Sequence, residues 1–287
     1  MRRLKDTYSF YHRIPLNDNL CLPGRMTGEQ AKVLETIPKY IHDTDHVLDI
    51  GARDGLFCVE AARCGATRIV AVDNDRSQLF TDIVIPWFGL NVEYVIDNFL
   101  NLGPEYAEAF DVVIFSGVLY HLRYPMYGIQ RVASMLRPNG IMILETAFLD
   151  AFNEFPILLC PIGHESPYEA TSVTFFNRTG LRDTIMSLGF SITEVADEFT
   201  YERNTETDYD RLPFPEGNSR HNIGRLIWVC TKDNPQIPKW TKGWPSVEQT
   251  RGYWNTSHDF HHKAVRDARI AALAKEKAEK EATGQAA

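Results

Sequence analysis

Two glycines four residues apart, Gly51 and Gly55 in DIGARDG, stand where an apolar run gives way to a helical pattern. Glycine there lets backbone approach a ligand at a helix N-terminus, whose N–H groups point outward. Asp73 ends the next apolar run, RIVAVD, where a carboxylate can accept hydrogen bonds from both hydroxyls of a ribose. These positions suit a nucleoside-bearing ligand. His121, in GVLYHL, is the residue type that titrates near neutral pH, and Arg225 heads the otherwise apolar run LIWVC, which calls for a partner carboxylate from substrate, cofactor or a residue such as Glu145.

A dinucleotide fingerprint reads GxGxxG, whereas this turn reads GxxxG with Asp49 two residues before its first glycine. That spacing speaks against a nicotinamide oxidoreductase. A carboxylate leading into the loop disfavours a pyrophosphate and suits a cation. S-adenosylmethionine carries two, an ammonium and a sulfonium. Arg53, in the middle of the loop, is expected to keep a negative φ, where a non-glycine residue is tolerated. Methyl transfer from a sulfonium is an in-line displacement that requires alignment of the nucleophile and, for a hydroxyl acceptor, removal of its proton. His121 is the expected base; a structural histidine anchoring its loop is the competing reading.

A βαβ series must hold these positions. From 46 to 146 short Val- and Ile-rich runs alternate with segments of helical period, which predicts a parallel sheet. Residues 46–50, 68–73, 92–96, 111–115 and 141–146 read as strands. Helices are expected over 54–66, 75–85 and 126–136, the last stopped by Pro138 and Gly140. Asn177 is placed to cap a helix reaching about Leu188, followed by strand-like SITEVA and a last strand, 225–231. Residues 1–45 read as an N-terminal lid or helical segment, 46–232 as one α/β domain, and 233–287 as an aromatic and charged helical appendage. Tyr8, Phe10, Tyr11 and His12 either close over the ligand or pack into the core.

With 287 residues, 44% of them hydrophobic, the chain can bury a sizeable core, which excludes wholesale disorder. Thirty basic against 38 acidic residues, and an acidic stretch from Glu194 to Glu216, oppose a nucleic-acid footprint. No apolar run is long enough to span a membrane and the first residues lack a signal-peptide core, so a soluble cytoplasmic protein is expected. Five scattered cysteines without a CxxC pair read as small buried hydrophobes in a reducing compartment. No metal set is expected, since His258, His261 and His262 have no carboxylate or cysteine beside them in a motif. A homo-oligomer is compatible with this composition.

VLDIGARDG, AVDND and FDVVIFSGVLYHL resemble the successive motifs of class I S-adenosylmethionine-dependent methyltransferases, over about residues 46 to 146. The resemblance implies a Rossmann-like α/β fold: a seven-stranded, mostly parallel sheet with helices on both faces and a late antiparallel strand. It implies that the loop Gly51, Ala52, Arg53 to Gly55 wraps the methionine portion, that Asp73 with Asn74 beside it holds the ribose, and that Asn98 with Phe99 contacts the adenine. Ser116, at the end of the fourth strand, belongs to the same set.

GVLYHLRYP, ILETAFLD and SVTFFNRTGL through SLGF narrow the resemblance to the branch containing the tRNA wobble-uridine carboxymethyltransferases and relatives acting on sugars and secondary metabolites. Members acting on tRNA use carboxy-S-adenosylmethionine. A lysine of the N-terminal segment, the Tyr of the YH motif and an Arg of the last strand hold its extra carboxylate. Tyr120 and Arg225 match two of these, and Arg13 aligns with the lysine. The sheet of this chain begins 46 residues in, so the helical region preceding the catalytic domain in those enzymes is expected to be missing. Together with net acidity, this places a small-molecule acceptor first and tRNA second. The expected activity is O-methylation of a polar small molecule from S-adenosylmethionine, with His121, Tyr120 and Arg225 at the reacting end.

Overall fold

Alternation of apolar side chains within the central strands builds two cores, one on each face of a single sheet. The computed structural model describes residues 7–24, 28–161, 166–168, 171–200 and 223–233. These fall in the first of two units, Met1–Pro235. The second unit, Gln236–Ala287, with the appendage and its three histidines, lies outside the described residues, as does most of the acidic stretch.

A hairpin of β1 (Ile14–Asn17) and β2 (Leu20–Leu22) leads to α1 (Gly28–Tyr40). Then follow β3 (His46–Ile50), α2 (Leu56–Arg63), β4 (Arg68–Asp73), a π-helical turn (Phe80–Val84) continuing into α3 (Ile85–Phe88), and β5 (Val92–Ile96). The second half holds β6 (Phe110–Ser116), α4 (Pro125–Met135), β7 (Leu136–Leu149), the short pair β8 (Leu158–Leu159) and β9 (Phe175–Phe176), α5 (Arg178–Ser187), β10 (Ser191–Thr200) and β11 (Ile223–Thr231). The seven-stranded sheet runs in the order β10-β11-β7-β6-β3-β4-β5. Pairings from β5 through β7 are parallel, and β11 is antiparallel to both β7 and β10.

Leu48, Ile50, Val113, Phe115 and Leu144 point to one face, under Ile129 and Val132 of α4 and Leu181 and Ile185 of α5. Val47, Val112, Ile114 and Ile143 point to the other, under Val33 and Ile37 of α1 and Phe57 and Val59 of α2. Strands covered on both faces must be apolar on both, which is why they read as nearly continuous apolar runs. Among the described residues no helix is long and apolar enough to cross a membrane.

Several boundaries differ from expectation. β7 begins at Leu136, so RPNG is no connecting loop: Leu136 already pairs with Phe110, and the register then shifts before Val112 meets Ile141. Asn139 absorbs this irregularity at a φ of 63°. β7 continues to Leu149 because β11 pairs with it from Thr231↔Ile141 to Ile223↔Leu149. Cys58 and Cys230 are buried as expected, but Cys21 and Cys64 are half-buried and Cys160 is exposed, since it lies in the irregular segment after β7.

Asn177, fully buried, caps α5 as expected and also does more. Its Oδ1 accepts from Gly180 N at 2.8 Å and Ile157 N at 3.0 Å, while Nδ2 donates to the carbonyls of Phe152 (2.8 Å), Phe155 (2.7 Å) and Ala151 (3.3 Å). One amide thus stitches the segment after β7 to α5. Asn177→Ala leaves several buried groups unpaired and is expected to destabilise the fold by about 3 kcal/mol, read as a lower urea midpoint at unchanged slope.

Candidate active site

The strand order reverses at β3, with β4 and β5 on one side and β6 and β7 on the other, and a crevice opens beyond the carboxyl ends of these strands. A cleft of about 670 Å³ lies there, enough for a small ligand. Its wall includes Gly51, Asp73, Asp97, Ser116, His121 and Arg225.

Gly51 and Gly55 both adopt a φ of 78°, and a Cβ at Gly51 would lie 2.6 Å from Val118. A Cβ at Gly55 would lie 2.0 Å from the Phe80 ring, so Gly55 serves packing against the π turn. Gly51 N and Ala52 N donate to Val72 O at 2.8 and 3.2 Å, which ties the loop to the end of β4. Contrary to expectation, Arg53 sits at a positive φ of 48°. Its N–H donates to Asp73 Oδ2 at 2.9 Å, and its guanidinium lies 5.0 Å from the Tyr11 ring centre, contacts that offset the cost of that backbone.

Gly51, Arg53, Asp73, Asn74, Asn98, Phe99, Ser116, His121 and Arg225 line the cleft; Asp49, Ala52, Gly55 and Tyr120 do not. Asp49 alternates to the face of β3 under α2 and is buried behind the loop, with Cys58 Sγ donating to its Oδ2 at 3.2 Å. Its Oδ1 has no hydrogen-bond partner. Asp73 accepts from Asp75 N at 3.0 Å through its other oxygen. Asn98 Oδ1 is committed to capping the turn Phe99–Asn101, accepting from Leu100 N at 3.0 Å. Asp97, which sequence reasoning passed over, lines the cleft beside it. The signal was there: VEYVI runs into Asp97 as RIVAV runs into Asp73.

At the other end, His121 Nδ1 lies 2.9 Å from Thr171 O. A carbonyl only accepts, so Nδ1 is the donor in this contact. Arg225 and Glu145 form a buried ion pair, Arg225 Nε donating to Glu145 Oε1 at 2.5 Å. Ser116 Oγ donates to Glu145 Oε2 at 3.0 Å, and Arg225 Nη1 to Tyr168 Oη at 3.1 Å. Glu145 also lines the cleft. Tyr120 packs its ring 4.8 Å from the Arg225 guanidinium. Burial holds the Tyr120 hydroxyl well above its ordinary pKa, although Arg225 opposes the shift, so it stays protonated. Arg13 is exposed and outside the cleft, whose N-terminal wall is instead Tyr11 and His12. Arg123 reaches across to Pro161 O at 2.9 Å. Among the described residues no group of three metal-ligating side chains occurs.

The residues present fit S-adenosylmethionine. Gly51 leaves the cleft floor bare where a side chain would collide, and the acidic residues Asp73, Asp75 and Asp97 line the cavity.

Two buried groups, Asp49 behind the loop and His12 in the cleft wall, titrate in opposite directions. Burial raises Asp49 to about 7, with the Cys58 hydrogen bond opposing and the Asp73 charge adding. Burial, with Arg53 adding, lowers His12 to about 3. Folded Asp49 keeps a proton that the unfolded chain releases above 3.8, so its contribution to stability falls as pH rises to about 7. His12 lacks a proton that the unfolded chain binds below 6.5, so its contribution grows from about 3 to 6.5. Relative to the wild type, Asp49→Asn is expected to gain stability from pH 4 to 7, by about 1 kcal/mol per pH unit, in urea titrations at stepped pH. Parallel profiles would mean that Asp49 is ionised in the fold.

The Methyltransferase domain family matches residues 24–195, more than half of the chain. The ubiquinone biosynthesis O-methyltransferase of Parvibaculum lavamentivorans is 28% identical over 177 residues, covering 58% of this chain and 69% of that protein. The tRNA U34 carboxymethyltransferase of Cellvibrio japonicus is 33% identical over 109 residues, 36% of this chain; the match spans only 33% of that relative's length. Among solved structures, the YcgJ protein from Bacillus subtilis superposes with a TM-score of 0.55 at 12% identity, covering 71% of this chain and 99% of that one. The N-terminal domain of EvdMO1 with SAH bound gives 0.56 at 16% identity, covering 80% and 94%. Both share the fold. Because the family match runs through the glycine loop, the β4 acid and the loop after β6, the chain belongs to the Methyltransferase domain family of S-adenosylmethionine-dependent methyltransferases.

Proposed function

We propose that this chain methylates an oxygen of a polar small molecule, with His121 as the general base. The observation that carries the reading is the contact between His121 Nδ1 and Thr171 O at 2.9 Å, which orients the imidazole on the cleft wall. When bound, S-adenosylmethionine supplies an already activated methyl group. Gly51 would allow its amino-acid portion close to backbone, Asp73 would accept from the ribose hydroxyls, and Phe99 with Leu100 would wall the adenine. His121 Nε2 takes the acceptor's proton, and Tyr120, kept neutral, positions Arg225 rather than reacting.

The buried ion pair supports ordinary S-adenosylmethionine over its carboxylated form. Arg225 already carries Glu145 as its counter-charge. An added carboxylate on the ligand would face Glu145 as well as Arg225, and like charges in a poorly hydrated wall repel strongly. A second reading, carboxymethyl transfer to tRNA with Arg225 holding the cofactor carboxylate, is favoured by the identity to the Cellvibrio enzyme and opposed by Glu145.

Mass spectrometry of ligands released on denaturation, with calorimetric titration, tests the cofactor. S-adenosylmethionine or S-adenosylhomocysteine is expected, binding tighter than carboxy-S-adenosylmethionine; the reverse order would move tRNA to the front, and no binding of either would overturn the reading. Once an acceptor is found, His121→Ala is expected to lower kcat by about 10²- to 10⁴-fold at little change in cofactor affinity. Unchanged turnover would make His121 a structural residue of its loop.

A further inference from the structure

Asp54, within the glycine loop after β3, is almost fully buried. Its Oδ2 accepts from two successive backbone N–H groups of the N-terminal segment, Tyr11 at 2.6 Å and His12 at 3.1 Å. Its Oδ1 accepts from Ser77 Oγ at 2.9 Å, and Ser77 Oγ in turn accepts from Phe80 N at 3.2 Å, at the start of the π turn. One carboxylate therefore joins three pieces of chain: the loop, the N-terminal segment and the turn after β4. Hydrogen bonds to an ionised acceptor are the strong ones, and here two of them converge on one oxygen.

The residues so held form part of the cleft wall. Tyr11 and His12 line it together with Arg53 and Phe57. The Arg53 guanidinium lies over the Tyr11 ring, and the His12 ring sits 5.5 Å from that of Phe57. Beyond them the chain is pinned by Ile14 and Leu16, which are buried in the core shared with α1 and α2. Before them, Tyr8 Oη reaches Asp82 Oδ2 at 3.3 Å in an exposed contact. His12 stays neutral because burial and Arg53 hold its pKa low, so no charge pushes it off the wall.

We infer that Asp54 is a positioning residue that clamps the segment Tyr8–His12 over the cofactor end of the cleft and thereby governs how tightly cofactor is retained. It touches no reacting atom. Because its neighbours Arg53 and Gly55 belong to the loop that approaches the ligand, the cover and the floor of this part of the cleft are joined through one side chain. This inference rests on the cofactor reading given above.

The test is hydrogen exchange on the full chain, combined with calorimetric titration of S-adenosylhomocysteine, for the wild type, Asp54→Asn and Asp54→Ala. Asp54→Ala removes all three bonds and is expected to weaken S-adenosylhomocysteine binding about tenfold or more, and Asp54→Asn, which loses the charge but keeps the shape, by less. Exchange should rise at residues 8–12 while amides of β3 and α2 stay protected, and KM for S-adenosylmethionine should rise more than kcat falls. Unchanged exchange at residues 8–12 would overturn the clamp, and raised exchange there with unchanged affinity would overturn its role in retention. Exchange raised throughout β3 and α2 would make Asp54 a support of the loop instead. Wild-type protein that takes up no S-adenosylhomocysteine would overturn the cofactor reading itself, whatever the exchange pattern.

Discussion

The parallel pairing of β3 between β4 and β6 is the constraint on which the site depends. A strand buried on both faces has nowhere to turn until it clears its neighbours, so the chain leaves β3 at one common edge of the sheet. There the turn must pass under Val118, which only Gly51 permits. The same turn is pinned to β4 by two N–H groups on Val72 O and by Arg53 N on Asp73. Loop and acid are thus a single rigid piece, and the crevice between the two halves of the sheet inherits its shape from strand order.

Burying charge beside that crevice is costly, and the protein meets the cost in two ways. Glu145 and Arg225 are paired with each other and each has a further partner, Ser116 on one side and Tyr168 on the other, since a half-satisfied pair would be worse than none. Asp49, which has the Cys58 thiol on one oxygen and nothing on the other, and His12, whose Nδ1 has no hydrogen-bond partner, are instead pushed by burial toward their neutral forms. What the cleft presents to a ligand is then dominated by Asp73, Asp75 and Asp97 against Arg53 and Arg123.

The His121 end of the cleft is assembled from chain that follows the parallel half of the sheet. Val173 N and Thr174 N donate to Tyr120 O, Thr174 Oγ1 donates to Leu122 O at 2.8 Å, and Thr171 O meets His121. The loop after β6 is therefore held from the far side of β7. Loops of this kind vary while the scaffold stays, which is why relatives named for ubiquinone biosynthesis and for tRNA resemble the same chain.

The amino-acid sequence by itself determined the strand–glycine–helix unit around Gly51, the alternation of strands and helices to Thr146, the cap at Asn177 and the acid at Asp73. Each is written in contacts or periodicities between near neighbours, which a reader of residues can see. Only the tertiary structure decided that Arg225 meets Glu145, 80 positions away, that His121 meets Thr171, 50 away, and that Asp54 meets Tyr11, 43 away. It also turned Asn98 into a cap, put Arg53 at positive φ, carried β7 through RPNG and sent Asp49 behind the wall. The physical reason is common to all of these. Local propensity states which residues form a strand or a turn, but the partner of a side chain is set by which strands lie side by side and which face each residue takes, and both are properties of the assembled sheet.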